Sequence, residues 1–161
     1  MAQPPLHTPT EQAQTELSSI ASSVDFYGIR SDQIYKLWEV VEPMIGSALE
    51  YSDGKYDTDD IHELLEEKQM QLWVVVENKI IIACGVTQIV IYPQKKVCLL
   101  VVVAGKDFSR WSDKLNYIEE WACDIGCTSF EAYCRPGWEK ILKDWEKIHT
   151  VMRKSIHENM H

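Results

Sequence analysis

Seven consecutive apolar residues, Val97-Cys98-Leu99-Leu100-Val101-Val102-Val103, constrain this chain more than any other feature. A strand with one face in water alternates apolar and polar side chains, whereas a strand apolar on both faces has to be covered on both. Two more β-rich runs precede it. Gln71 to Glu77 and Ile80 to Tyr92 are separated only by Asn78-Lys79, and Pro93-Gln94-Lys95 then turns the chain into Lys96 to Ala104. Links this short bring each strand back beside the one before it, so the three runs predict an antiparallel meander.

The flanking periodicities supply the cover. Val24 to Ile29 reads as a short first strand, with Ser31 as a candidate N-cap for the first helix. Ile34, Leu37, Trp38, Val41, Ile45 and Leu49 recur at helical spacing, with Pro43 predicting a kink or a division into two pieces. Thr58 precedes a second helix carrying Ile61, Leu64 and Leu65. Beyond Gly105, residues Leu115, Ile118, Trp121, Ala122 and Ile125 define a helix that Gly126 stops. Ser129 to Cys134 predicts a strand joining the sheet in parallel, and Gly137 opens a helix carrying Trp138, Ile141, Leu142 and Trp145. His149 to Ile156 alternates well enough to predict a last strand. The predicted order is β-α-α-β-β-β-α-β-α-β, an α/β fold with a mixed, mainly antiparallel sheet flanked by helices on both faces. The domain spans residues 23–156, behind an extended arm at 1–22 and before a short tail at 157–161. The arm holds three of the six prolines and too few apolar residues to fold alone.

Several function classes fall away on composition. A net charge of −9 opposes a nucleic-acid grip, which needs clustered Lys and Arg to displace counterions. No apolar run reaches the roughly 20 residues of a membrane-spanning helix, and Met1 to Thr10 lacks the basic and apolar regions of a signal peptide. Five cysteines and scattered histidines complete neither a disulfide framework nor a zinc pattern, so no metal is expected. The charge is uneven: eleven acids face three lysines between Ser31 and Met70, whereas Arg135 to His161 carries six Lys/Arg against four acids. The acidic half suits a cationic partner or a solvated helical face.

Local wording adds to the element order. Trp38 with Pro43, Gln71-Leu72-Trp73, Ile118-Glu119-Glu120-Trp121-Ala122, Gly126-Cys127 and Arg135-Pro136-Gly137-Trp138 followed by Ile141-Leu142 resemble the GNAT acetyltransferase superfamily over Val24 to Ile156. They are similar in particular to small GNAT-like proteins of tailed bacteriophages, reported as virion or internal components and as candidate acetyltransferases. The resemblance implies an acetyl-CoA pyrophosphate held by backbone N–H groups between the fourth strand and the third helix. The superfamily pattern there is Gln/Arg-x-x-Gly-x-Gly/Ala, whereas this chain reads Ala104-Gly105-Lys106-Asp107-Phe108-Ser109-Arg110-Trp111-Ser112. Val103, Gly105, Lys106 and Arg110 are the residues that could touch a cofactor. Phe108 and Trp111 would crowd it, and Asp107 adds an adverse charge.

Proton transfer is no better marked. The resemblance implies a carboxylate or ordered water as base and a tyrosine on the fourth helix as acid. No Glu or Asp lies between Val97 and Ala104 and no Tyr between Gly137 and Trp145, which leaves Tyr133 and Cys134 as the nearest candidates. Two functions are expected. One is a non-catalytic GNAT-fold bacteriophage protein in the virion or host cytoplasm, needing no cofactor and docking on other proteins, phage structural proteins among them, through its arm. The alternative is a divergent acetyl-CoA-dependent N-acetyltransferase with an acidic acceptor site.

Overall fold

The computed structural model describes residues 23–157, so the expected arm at 1–22 and the last residues of the tail lie outside the described residues. Five strands, β1 (Asp25–Ile29), β2 (Met70–Glu77), β3 (Ile80–Ile91), β4 (Lys96–Gly105) and β5 (Ser129–Ala132), form one sheet in sequence order. The first four are antiparallel neighbours, and β5 lies parallel to β4. The meander turns as its short links require. Asn78 and Lys79 both adopt positive φ, 51° and 66°, which matches a two-residue turn to the twist of the strands it joins.

Helices cover both faces. On one side lie α1 (Ile34–Leu49) and α2 (Thr58–Glu66), whose Ile34, Val41, Ile45, Ile61 and Leu65 are buried against Leu72, Val74, Cys84 and Val86. On the other, the four-residue α3 (Phe108–Trp111) and α4 (Leu115–Asp124) set Trp111, Leu115, Ile118 and Ala122 against Trp73, Val75 and Cys98. Adjacent residues of β2 thus enter opposite cores, as a pleated strand dictates. Trp73 keeps its indole N–H satisfied by donating 2.9 Å to the hydroxyl of Thr87, a fully buried residue.

Two irregularities tune the sheet. Pairing shifts between β2 and β3 so that Ile82 has no opposite residue, and between β3 and β4 so that Val101 has none. The second shift inverts the phase of β4. Cys98 belongs to the core beneath α4, whereas Val102 and Ala104, an even number of residues on, belong to the core beneath α1 and α2. A run apolar on both faces tolerates that inversion, because either phase buries an apolar side chain.

Several local expectations are corrected. Helix α1 runs unbroken through Pro43, which lies on the exposed face, where water can satisfy the carbonyl it leaves free. Asp57, rather than Thr58, caps α2: its carboxylate accepts from Asp60 N at 2.8 Å and its own N–H donates to Asp60 at 3.0 Å. Ser31 begins a 3-10 turn, Ser31–Gln33, instead of capping a helix. The helix expected from Gly137 to Trp145 is only a 3-10 turn, Pro136–Lys140, and the strand expected from His149 to Ile156 is absent. Trp138, Leu142 and Trp145 are drawn one by one onto the α4-side core, which holds the segment without a continuous helical face. Beyond them the apolar side chains stay in solvent.

Gly105 closes β4 at φ 119°, where an added Cβ would lie 2.5 Å from Ala83 Cβ. Gly54 has φ 74° with open space around it. Gly105→Ala is expected to lose about 3 kcal/mol, strain plus overlap, and Gly54→Ala about 1 kcal/mol, strain alone. Urea denaturation checks the order, and equal losses would show that Ala83 does not set the constraint. Burial pushes the thiols of Cys84 and Cys98 up to about 12, so at pH 8 neither supplies the thiolate that alkylates. Mass spectrometry after brief native iodoacetamide treatment should find adducts on exposed Cys123 and none on Cys84 or Cys98.

Candidate functional site

The parallel pair β4–β5 extends only from Val97 opposite Ser129 to Leu100 opposite Ala132. Strand β4 continues to Gly105, so among the described residues its β5-side edge from Val101 onward has no strand beside it. The two strands part where Val101 bulges. Crevices at the carboxyl ends of parallel strands are where open α/β sheets bind ligands. One wall is the β4–α3 corner, and the other is the chain leaving β5 from Tyr133 to Trp138.

The corner is tightly engaged within the protein. Gly105 is required by its approach to β3. The carbonyl of Lys106 accepts the indole N–H of buried Trp111 at 3.1 Å. Asp107 is left-handed at φ 56° and makes no side-chain cap. Arg110 pairs with Glu77 at the end of β2 and lies 4.0 Å from Asp107. Val103 is half-buried against the α4-side core. The fold therefore gathers Val103, Gly105, Lys106 and Arg110 at one corner, with Gly105 and Arg110 already committed to β3 and β2. Helix α3 gives way after four residues to a 3-10 turn, Ser112–Lys114, so few aligned peptide dipoles point at this corner.

Phe108 links the walls. Its ring packs edge-on against Trp111 at 4.7 Å and against Trp138 at 5.1 Å, joining the exits of β4 and β5. A second set of contacts reaches over from the turn between α1 and α2. The Arg135 guanidinium lies 4.4 Å from the Tyr51 ring centre, and the Lys55 ammonium 5.5 Å from that of Tyr133. Arg153 makes a two-pronged ion pair with Asp53, one arm at 2.6 Å. That pairing holds the Asp53 carboxyl below the usual carboxylate range.

Tyr133 and Cys134 sit beside the crevice, both exposed. Burial of its sulfur, then the Glu139 carboxylate, raises the Cys134 pKa, so this thiol is not primed as a thiolate. Glu131 of β5 is half-buried, accepting the Ser129 hydroxyl at 2.8 Å with Lys95 at 3.6 Å. Among the described residues no cluster of three His, Cys, Asp or Glu side chains could hold a metal ion. The sequence reading missed Tyr51, Lys55, Asp53 and Glu77, because each meets its partner only after distant segments fold together. At the other end of the sheet lies a groove of about 670 Å³. Some of its lining polar groups are engaged internally: Arg30 bonds Asp32, and the Gln71 amide donates to the carbonyls of Ile29 and Leu72.

No family model and no curated protein matches the sequence. Solved structures do match the fold. A probable acetyltransferase superposes with a TM-score of 0.64 at 10% identity, over 84% of this chain and 99% of that one. An aminoglycoside N-acetyltransferase in complex with CoA gives 0.64 at 11% identity, over 83% and 95%. A glucosamine-6-phosphate N-acetyltransferase from Arabidopsis thaliana gives 0.60 at 14% identity, over 84% and 99%. No helix among the described residues is long and apolar enough to cross a membrane. With its sheet order, parallel β4–β5 pair and helices on both faces, the chain has the GNAT acetyltransferase fold.

Proposed function

We propose that this chain uses the acetyltransferase scaffold to bind other proteins and does not transfer acetyl groups. The observation that carries this reading is the Phe108–Trp138 contact across the mouth of the crevice. A pyrophosphate needs converging backbone N–H groups and free cations. At this corner the helix has four residues, Arg110 is paired with Glu77, and Gly105 faces β3. Lys106 is left as a lone ammonium, and one cation without converging amides does not fit the pyrophosphate of acetyl-CoA. The exposed aromatic and aliphatic side chains around the crevice, Tyr51, Tyr133 and Ile141, are the kind of surface that proteins bury against one another. The motif resemblance suggests a phage particle or the host cytoplasm as the setting, and mass spectrometry of purified particles tests that part separately.

A second reading, a divergent N-acetyltransferase, is favoured by the bulge at Val101 and the parted β4–β5 pair, together with the acetyltransferase names of the solved structures that share the fold. Isothermal calorimetry with acetyl-CoA separates the two. The proposal expects no heat and no thermal shift at millimolar acetyl-CoA. Saturable heat, accompanied by thiol release when a panel of primary amines is added, would overturn it.

A further inference from the structure

Away from the crevice, at the opposite end of the sheet, the strands finish in steps. Strand β1 stops at Ile29 opposite Leu72, β2 reaches two residues further to Met70 opposite Gln88, and β3 runs on to Ile91. Each step bares the edge of the next strand. The hollow so formed is the groove of about 670 Å³, a volume within the roughly 300–1,000 Å³ of small-ligand sites.

Its walls are fixed before any ligand arrives. The Gln71 amide spans the first step, spending both N–H groups on the carbonyls of Ile29 and Leu72, each at 2.8 Å. Its own carbonyl oxygen is left as an oriented acceptor without a partner among the described residues. The half-buried Gln88 side chain also makes no hydrogen bond among the described residues. No buried side-chain polar atom among these residues lacks a partner, so both of these amides open to solvent. Trp121 forms an aromatic wall, held edge-on against Trp73 at 5.1 Å. Trp73 is held in turn by its bond to Thr87 on the groove floor.

Charge selects against ions. Arg30 donates twice to Asp32, at 3.1 and 2.7 Å, so the pair largely neutralises itself. Lys68 lines the groove as a lone ammonium, and one cation on a chain of net charge −9 makes a poor anion site. Asp32 is the one carboxylate in the lining, and its engagement with Arg30 leaves an amine nothing to pair with. A wholly apolar ligand would bury the Gln71 carbonyl and the Gln88 amide unpartnered. An uncharged ring with an apolar face and a rim of hydroxyls satisfies every wall.

We infer that the groove binds a neutral saccharide. The C–H face of a sugar ring lies on Trp121, and its hydroxyls bond the Gln71 carbonyl and the Gln88 amide. A hydroxyl both donates and accepts, which suits a fixed acceptor beside an amide able to do either. The site lies at the far end of the sheet from the crevice and needs no transfer chemistry. It therefore stands whether or not acetyl-CoA binds.

N–H correlation NMR of the full chain reads the site through the Trp121 indole and the Gln71 and Gln88 side-chain amides. The probes are glucose, galactose, mannose, N-acetylglucosamine, maltose and lactose, each to about 20 mM, which nearly saturates a millimolar site. At least one should shift those signals saturably while the Trp111 and Trp138 indoles beside the crevice stay unmoved. Gln88→Ala should weaken that binding about fivefold, the worth of one neutral hydrogen bond. Its urea midpoint should not change, since the side chain has no partner in the free protein. The corresponding uronate should bind no more tightly than the neutral sugar. Silence of the groove signals across the whole panel overturns the inference, and so do shifts confined to the crevice indoles. Equal shifts with the open-chain polyol sorbitol, tighter binding of the uronate, or unchanged affinity in Gln88→Ala overturn it as well.

Discussion

The unpaired residue Val101 governs the shape of this molecule. By adding one position to β4 it turns the second half of the strand over, so that Val102 and Ala104 face the core their register would otherwise deny them. A strand that bends and twists at a bulge cannot keep a straight parallel neighbour. Strand β5 follows β4 for four residues and stops. A length of strand edge is thereby left at the end of the sheet, and the surrounding segments are arranged around it.

On the proposed reading, what is built there differs in kind from an anion site. Phosphate recognition relies on cations and amides held ready but unengaged. Here four cations near the crevice already have partners: Arg110 has Glu77, Arg135 lies over Tyr51, Lys55 lies over Tyr133, and Arg153 has Asp53, whereas the Lys106 ammonium has no ion pair among the described residues. These pairs are exposed, so individually each is weak and screened by salt. Their combined effect is geometric. They tie the turn between α1 and α2 to the chain beyond β5, while Phe108 and Trp138 tie the β4 exit to the same chain. The mouth is thus crossed by contacts from two directions. On the proposed reading the acetyltransferase scaffold survives because its two cores need it, independently of the corner.

The sheet and the helices covering it were legible because their signals are local and redundant. Leu72 and Val74 against Trp73 and Val75 declare two faces within four residues, and Asn78-Lys79 can only turn the chain back. The capping of α2 by Asp57 was also written in the chain, but Thr58 beside it is itself a cap type, though a weaker one, and masked it. The bulge at Val101 was illegible for a physical reason: where both faces are apolar, no change of pattern marks a change of phase. Gly105 was visible as the single glycine near the expected cofactor loop, yet its need comes from Ala83, far away in sequence. The contacts of Tyr51, Asp53 and Lys55 depend on where three loops meet, which local periodicity does not encode.

The C-terminal segment shows why the same pattern can be read and still not form. From His149 to Ile156 the alternation suits a strand, while Ile148, Met152 and Ile156 also suit one side of a helix. A strand needs an edge of its own length, and β5 offers only Ser129 to Ala132. A helix needs an apolar surface, and the α4-side core is already filled by Trp138, Leu142 and Trp145. Neither periodicity finds a partner within the described chain. The specific contacts that the segment makes, Arg153 with Asp53 and Lys147 with Glu139, satisfy its charge and leave its apolar row in water. Polar satisfaction with apolar exposure is what remains when a segment is held by charge and offered no apolar surface to pack on.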